Sequence, residues 1–532
     1  MADHVLNNFS SGVVSPKLGG RYDLGIYHSG VNTLENFLPM LQGGITRRPG
    51  TVSVGEVASG SRLIPFVISE NISFILELSH EQLRVWQNGV LWEDSGVPQV
   101  WSAPWNGIDI PKIQFTQDYE KLYLVHRNMP PQVMFYTGGS LIFGTMTFDC
   151  DPSGPYANLF IGEGNYPGCV AYCSNRLWFA SSDNRPYRLW ASRPFETTNF
   201  ETFDEIVSVT DTIKSPDQWP ANWHEDPESI VVAQSTTRNI TTATNAMVLE
   251  VGSNRNDRIE WLCAGRNILV GTASSEWIIP GTIDAINLSI VQSSTYGSTS
   301  IQGLSVNEDL IFIQSGGKRC RSYVFTSDGY HSPDLTYSAD HVLSTGVKEM
   351  HFQRIPEPRV YMVLNNGDIA VLSYNKLYDM QAWSVWTFEG EAKSACVLDA
   401  PGGQEVYVYI ERSGNHYLEK FDEASVVHAD RQNETPVGFD SIMITNRLDM
   451  PLEASSSIGR RKRVSTVVFR LLNSGGYQVG YNRLESYKNP IEEGDHRIIV
   501  GGGYEKELKI QARSIDDEPL TILAMVLGLE VG

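Results

Sequence analysis

Val360-Tyr361-Met362-Val363-Leu364, then Asn366-Gly367, then Ile369-Ala370-Val371-Leu372, reads as one β-hairpin. Five consecutive apolar residues, mostly β-branched or aromatic, suit a strand covered on both faces. Asn-Gly supplies the left-handed backbone that a tight turn needs. A second apolar run then returns along the first.

The same unit recurs on both sides of this hairpin. Upstream lie Phe74-Ile75-Leu76-Glu77-Leu78 with Leu83-Arg84-Val85-Trp86, and Leu122-Tyr123-Leu124-Val125 with Val133-Met134-Phe135-Tyr136. They are followed by Leu177-Trp178-Phe179-Ala180 with Tyr187-Arg188-Leu189-Trp190, and Ile268-Leu269-Val270-Gly271 with Glu276-Trp277-Ile278-Ile279. Next is Leu310-Ile311-Phe312-Ile313 with Tyr323-Val324-Phe325; downstream is Val406-Tyr407-Val408-Tyr409-Ile410 with Tyr417-Leu418-Glu419. The hairpins start at 74, 122, 177, 268, 310, 360 and 406, at intervals of 48, 55, 91, 42, 50 and 46. A period of about 40–50 residues with a few strands per unit is that of propeller blades. One small twisted sheet cannot bury both faces, whereas a ring of sheets can. A string of β-sandwich domains is the competing arrangement; even spacing and the absence of clear linkers favour the ring. The expected fold is all-β, with a central β-propeller of six or seven blades.

Three segments follow from this spacing. Residues 1–60 are rich in Gly, Asn and Ser, residues 61–425 carry the hairpins, and residues 426–532 carry β-runs without the period. The 91-residue interval points to a long insertion at about 196–257. Its Trp219, Trp223, His224, Glu225 and Asp226 lie in sequence that reads as loop. Long loops on a rigid β-scaffold often carry function, so these five residues are candidates for a channel-facing or distal loop.

Composition narrows the function classes. The 532 residues carry 41 Lys and Arg against 62 Asp and Glu, a net charge of −21. Such a chain is a poor general binder of nucleic acid, because phosphate contacts need cations. Acidic walls would suit a conduit that must not hold DNA; ordinary solubility explains the same charge. No apolar stretch approaches the roughly 20 residues of a membrane span, so no membrane anchor is expected. The N-terminus lacks a basic region before an apolar run, so no secretory signal is expected. Six scattered cysteines do not read as a disulfide framework, and Cys169 and Cys173 lack a second pair at zinc spacing.

Motifs for catalysis are missing from the sequence. There is no G-x-S-x-G, no phosphate-binding G-x-x-x-x-G-K-[ST] and no H-E-x-x-H. Glu492-Glu493 and Asp516-Asp517 are adjacent pairs that a strand would point to opposite faces. No catalytic residue, metal site or cofactor is expected. Two basic clusters stand out in the acidic chain, Arg47-Arg48 and Arg460-Arg461-Lys462-Arg463. They fit docking to an acidic partner, contact with DNA phosphate, or a solvated turn.

The N-terminus carries a distinctive string. It runs Asn8-Phe9-Ser10-Ser11-Gly12-Val13-Val14-Ser15-Pro16, then Gly20-Arg21-Tyr22-Asp23-Leu24 and Leu34-Glu35-Asn36-Phe37-Leu38-Pro39. It closes on Gln42-Gly43-Gly44-Ile45-Thr46-Arg47-Arg48-Pro49-Gly50-Thr51. Downstream, Arg258 to Trp277, Tyr296-Gly297-Ser298, Asp328-Gly329-Tyr330, Gln381-Ala382-Trp383, Gly459 to Arg463 and Glu518 to Gly532 continue the pattern. The whole resembles the nozzle proteins of short-tailed phages, also called tail tubular protein B or packaged-DNA stabilisation proteins. The resemblance implies a virion tail protein, made in the host cytoplasm, that forms a homohexameric ring below a tail adaptor. It implies tail fibre or tailspike proteins nearby and transient contact with genomic DNA, which the ring retains and then conducts during ejection. It also implies a platform built from the two terminal segments, and with it an adaptor-docking role for Arg47, Arg48, Arg460, Arg461, Lys462 and Arg463. Two alternatives remain open: a receptor- or glycan-binding propeller at the virion surface, and a propeller glycoside hydrolase. No aspartate-box repeat supports the latter.

Overall fold

The computed structural model describes the chain apart from residues 1, 95, 152–155, 214–230, 253–256, 266, 281–282, 327–328, 426, 450, 453–454 and 489. Its fold is an all-β propeller with a platform of terminal strands. The chain divides into two compact units, residues 1–113 with 294–532, and residues 114–293.

Seven blade sheets are built on one antiparallel plan. In every blade the second strand is the apolar run that the sequence displays. These strands are Ile72–Ser79, Lys121–His126, Arg176–Ala180, Ile268–Thr272, Asp309–Ile313, Arg359–Leu364 and Gly403–Arg412. The third strand is the returning arm of each hairpin, as in Ile369–Asn375, where Met362 pairs with Ala370. Blades 2, 3 and 4 form the smaller unit; blades 1, 5, 6 and 7 belong to the larger.

Neighbouring blades within each unit meet through their first strands. Glu391–Ala400 of blade 7 lies against Arg62–Ser69 of blade 1 and Val347–Gln353 of blade 6. Cys169–Cys173 of blade 3 lies against Gln114–Asp118 of blade 2 and Ile259–Ala264 of blade 4. Apolar side chains of adjacent sheets fill the wedges between them. Trp178, Trp277 and Ile268 close the blade 3–4 wedge; Phe148, Phe160, Phe179 and Phe200 pack with centroids 5.0–5.8 Å apart in the blade 2–3 wedge.

Blade 7 is completed from the other end of the chain. Thr51–Glu56 pairs antiparallel with its third strand Asn415–Phe421, Thr51 opposite Phe421. A strand numbered inside the 1–60 segment is therefore the fourth strand of a blade. The long interval in the hairpin spacing falls in blade 3. Between its third strand Arg188–Ala191 and its fourth, Met247–Glu250, the chain makes a ribbon of Asp204–Ile213 with Val231–Ile240.

Terminal strands knit the rest of the larger unit. Ala2–Leu6 pairs with Thr521–Val531, which also pairs with Lys462–Ser474 and Ile45–Arg47. Gly12–Val13 lies parallel to Gly30–Glu35 and meets Trp383 in the fourth strand of blade 6. One apolar core runs through this region, joining Phe9, Leu34 and Phe37 to Phe469, Met525 and Leu527, and to Met362 and Trp383 of blade 6.

All six cysteines are free thiols, four of them buried. Burial pushes Cys169 and Cys263 up to about 12, so neither is a thiolate near neutrality.

Candidate functional site

Arg47 ends the short strand Ile45–Arg47 and Arg48 follows it, at the seam between the terminal segments and blades 6 and 7. Both side chains are almost fully buried, at 1% and 0% exposure. Arg47 spends its donors on the C-terminal segment. Its Nη1 donates to the carbonyls of Asp516 and Glu518 at 2.8 Å, its Nε to Ser441 Oγ at 3.1 Å, and its Nη2 to the Phe439 carbonyl. Burial lowers Arg47 to about 10, which leaves the guanidinium charged at any physiological pH.

Arg48 makes the buried ion pair. Its Nη1 and Nη2 meet Asp430 Oδ1 and Oδ2 at 2.9 and 3.0 Å, a bidentate fork with both side chains fully enclosed. Its Nε donates to Asn36 Oδ1, and Asn36 Nδ2 donates to Thr387 Oγ1 and the Asp440 carbonyl. The Phe439 ring lies 3.5 Å from the Arg48 guanidinium carbon, a cation–π contact. Beyond Asp430 the network continues to Arg412 at 3.8 Å, then to Glu419, whose Oε2 accepts from Thr51 Oγ1 at 2.6 Å. Arg48, Asp430, Arg412 and Glu419 each have a counter-charge in this network, which is the condition for burying them. Asn36, Arg48, Thr387, Arg412, Glu419 and Asp430 thus tie the N-terminal segment to blades 6 and 7 from inside.

The second basic cluster divides. Lys462 is fully buried, its Nζ on Asp449 Oδ1, and Arg447 lies 2.9 Å from the other Asp449 oxygen. Arg463 is half-buried, and Arg460 and Arg461 are exposed. The docking role expected for Arg47, Arg48 and Lys462 is thus corrected in one respect: their charges are consumed internally, and only Arg460, Arg461 and part of Arg463 reach the surface. Trp219, Trp223, His224, Glu225 and Asp226 lie outside the described residues.

A charged cleft of about 410 Å³ opens in the larger unit, where the first strands of blades 1, 6 and 7 begin. Arg62 donates to the Ile113 carbonyl at 2.6 Å and faces Glu349 at 3.3 Å. Burial alone would push Glu349 up, but His351 and Arg62 outweigh it and hold its carboxyl below the usual range. Lys393 sits between Glu391 at 2.6 Å and Glu411 at 3.2 Å, and its hydrogen bond to Glu391 raises it. Burial lowers Lys348 at the rim. The Arg62–Glu349 pair joins blade 1 to blade 6, and Ser61, which also lines the cleft, donates to the Ala58 carbonyl at 2.7 Å. Among the described residues no three His, Cys, Asp or Glu side chains gather closely enough to hold a metal ion.

Sequence reading missed Asp430, Arg412 and Glu419. The available signal was a charged residue inside an apolar run, as with Glu419 after Tyr417-Leu418; its counter-charge was not visible at sequence range.

No family model matches the chain, and no curated protein does. Solved structures that overlap it include the Pan2 WD40 domain of Neurospora crassa, at 10% identity and TM-score 0.37, covering 71% of this chain and 96% of that one. The RRP9 WD40 repeats overlap at 7% identity and TM-score 0.41, covering 71% and 100%. The Cps50 (Swd1) β-propeller domain of Myceliophteria thermophila overlaps at 10% and 0.37, covering 69% and 99%. The likeness is one of blade architecture.

Proposed function

We propose that this propeller is a structural subunit of a short phage tail: a nozzle that joins copies of itself into a six-fold ring below the adaptor, retains packaged DNA and conducts it at ejection. The observation that carries the reading is where the distinctive N-terminal string falls. Asn36, Arg47, Arg48 and Thr51 of that string are the buried polar residues that bind the N-terminal segment to the C-terminal segment and to the blades. Four residues of the string that carries the resemblance thus join the terminal segments to the blades. The adaptor, tail fibre and DNA contacts, and residence in the virion, belong to the same proposal.

Electron microscopy of the purified chain, alone and mixed with the adaptor of the same virion, tests it. Six-fold rings with an axial channel are the expected result. A stable monomer that binds no tail component would overturn the reading.

A further inference from the structure

Blade 3 carries a second, differently lined cleft, of about 460 Å³. Two segments at the same end of the blade form it. One is the loop 157–165 leading to the first strand, Cys169–Cys173; the other is the turn 181–187 joining the second strand to the third. Asn184 binds the segments together, its amide nitrogen donating to Asn165 Oδ1 at 3.0 Å and its backbone N–H to the Gly164 carbonyl at 2.9 Å. The loop is pinned from beneath by Phe160, whose buried ring packs against Phe148, Phe179, Phe200 and Trp190. The walls of the cleft are thus held in place without a ligand.

Its lining differs from that of the charged cleft beside blades 1, 6 and 7. In a chain of net charge −21, no carboxylate lines this cleft among the described residues, but Arg185 and Arg188 do. Arg188 is occupied by Glu250 at 2.9 Å, whereas Arg185 is exposed and its guanidinium has no partner among the described residues. The Asn158 amide and the Asn184 amide oxygen face the cleft, while Asn165 is spent on Asn184 and on the Ile161 carbonyl. Trp190 borders the cleft at 3% exposure, and its indole Nε1 is buried with no acceptor among the described residues.

We propose that this cleft binds an acidic sugar, with the carboxylate on Arg185 and hydroxyls on the Asn158 and Asn184 amides. Hydroxyls both donate and accept, as side-chain amides do, and the guanidinium fork matches a carboxylate plane. The site is independent of ring formation, so its failure would leave the tail reading standing.

Titration of the full chain with D-glucuronate and N-acetylneuraminate, followed by saturation-transfer NMR and indole fluorescence, tests it, with D-glucose and inorganic phosphate as controls. Saturable binding of an acidic sugar is expected, roughly tenfold or more tighter than glucose, since a hydrogen bond to a charged group contributes about 1.5–3 kcal/mol. Arg185→Ala should weaken it by a similar factor, and Asn158→Ala, a surface change, by less. Phosphate binding as tightly as the sugars would reduce the cleft to a plain anion site and overturn the proposal. So would absence of acidic-sugar binding, or affinity unchanged in Arg185→Ala.

Discussion

Arg48 shows how far a single side chain reaches in this protein. It stands 382 residues from Asp430 in sequence, yet the two form an enclosed bidentate pair. Removing one partner of a buried pair leaves an uncompensated charge, at a cost of about 3–5 kcal/mol. Arg48→Ala should therefore lower unfolding stability by that amount in a urea titration, whereas Arg460→Ala, on the surface, should shift it by less than about 0.5 kcal/mol. Equal effects from the two would show that the seam does not depend on the pair. The Arg47-Arg48 cluster was plain in the sequence, but its environment was not. A basic pair in an acidic chain reads as surface, because burial of charge is rare unless a counter-charge is supplied. Here that counter-charge comes from the far end of the chain.

Histidine at the same seam makes stability depend on pH. His428 donates from Nδ1 to the Arg48 carbonyl at 2.6 Å. Burial, with Arg47 and Arg48 nearby, holds it below its ordinary value of 6.5 despite that bond. Below pH 6.5 the unfolded chain takes up a proton that the folded seam resists, so this histidine's contribution is full above pH 6.5 and lost as pH falls toward its folded value. Comparing melting temperatures of the parent and His428→Gln at pH 7.5 and 5.5 isolates the effect. The variant should fall less on acidification; parallel falls would exclude it.

At the scale of elements, the sequence showed the second and third strands of all seven blades and little of the first and fourth. A second strand is covered on both faces, so it reads as an unbroken apolar run. Val360 to Leu364 is buried throughout, whereas first strands such as Val347–Gln353 mix apolar with charged residues, and the fourth strand of blade 1, Val90–Leu91, is two residues long with Val90 exposed. Thr51–Glu56 was also hidden, because it completes blade 7 from a distance. Deleting residues 1–57 should strip that strand and leave the edge of Asn415–Phe421 open, giving aggregation visible by light scattering. A monodisperse truncated chain would refute this. Gly12 is as demanding. Its φ is +56°, and an added Cβ would lie 2.4 Å from the Trp383 carbonyl oxygen. Gly12→Ala should cost about 1–3 kcal/mol, measured by thermal unfolding, because strain and clash act together.

For the whole molecule, periodicity settled the class and contact at a distance settled the assembly of the fold. Hairpins recurring about every 45 residues, with Gly-rich turns between apolar runs, made a propeller legible from sequence alone, because each blade repeats one local folding problem. Blade number follows from the sheets: the seven runs are seven second strands, and the longest interval is a ribbon inserted within blade 3. The sequence by itself determined the strand periodicity and the polarity balance, since both depend on near neighbours. Only the tertiary structure decided which charges are buried, that an N-terminal strand completes the last blade, and that two loops of blade 3 meet through Asn184 and Asn165. Those features depend on residues that folding alone brings together.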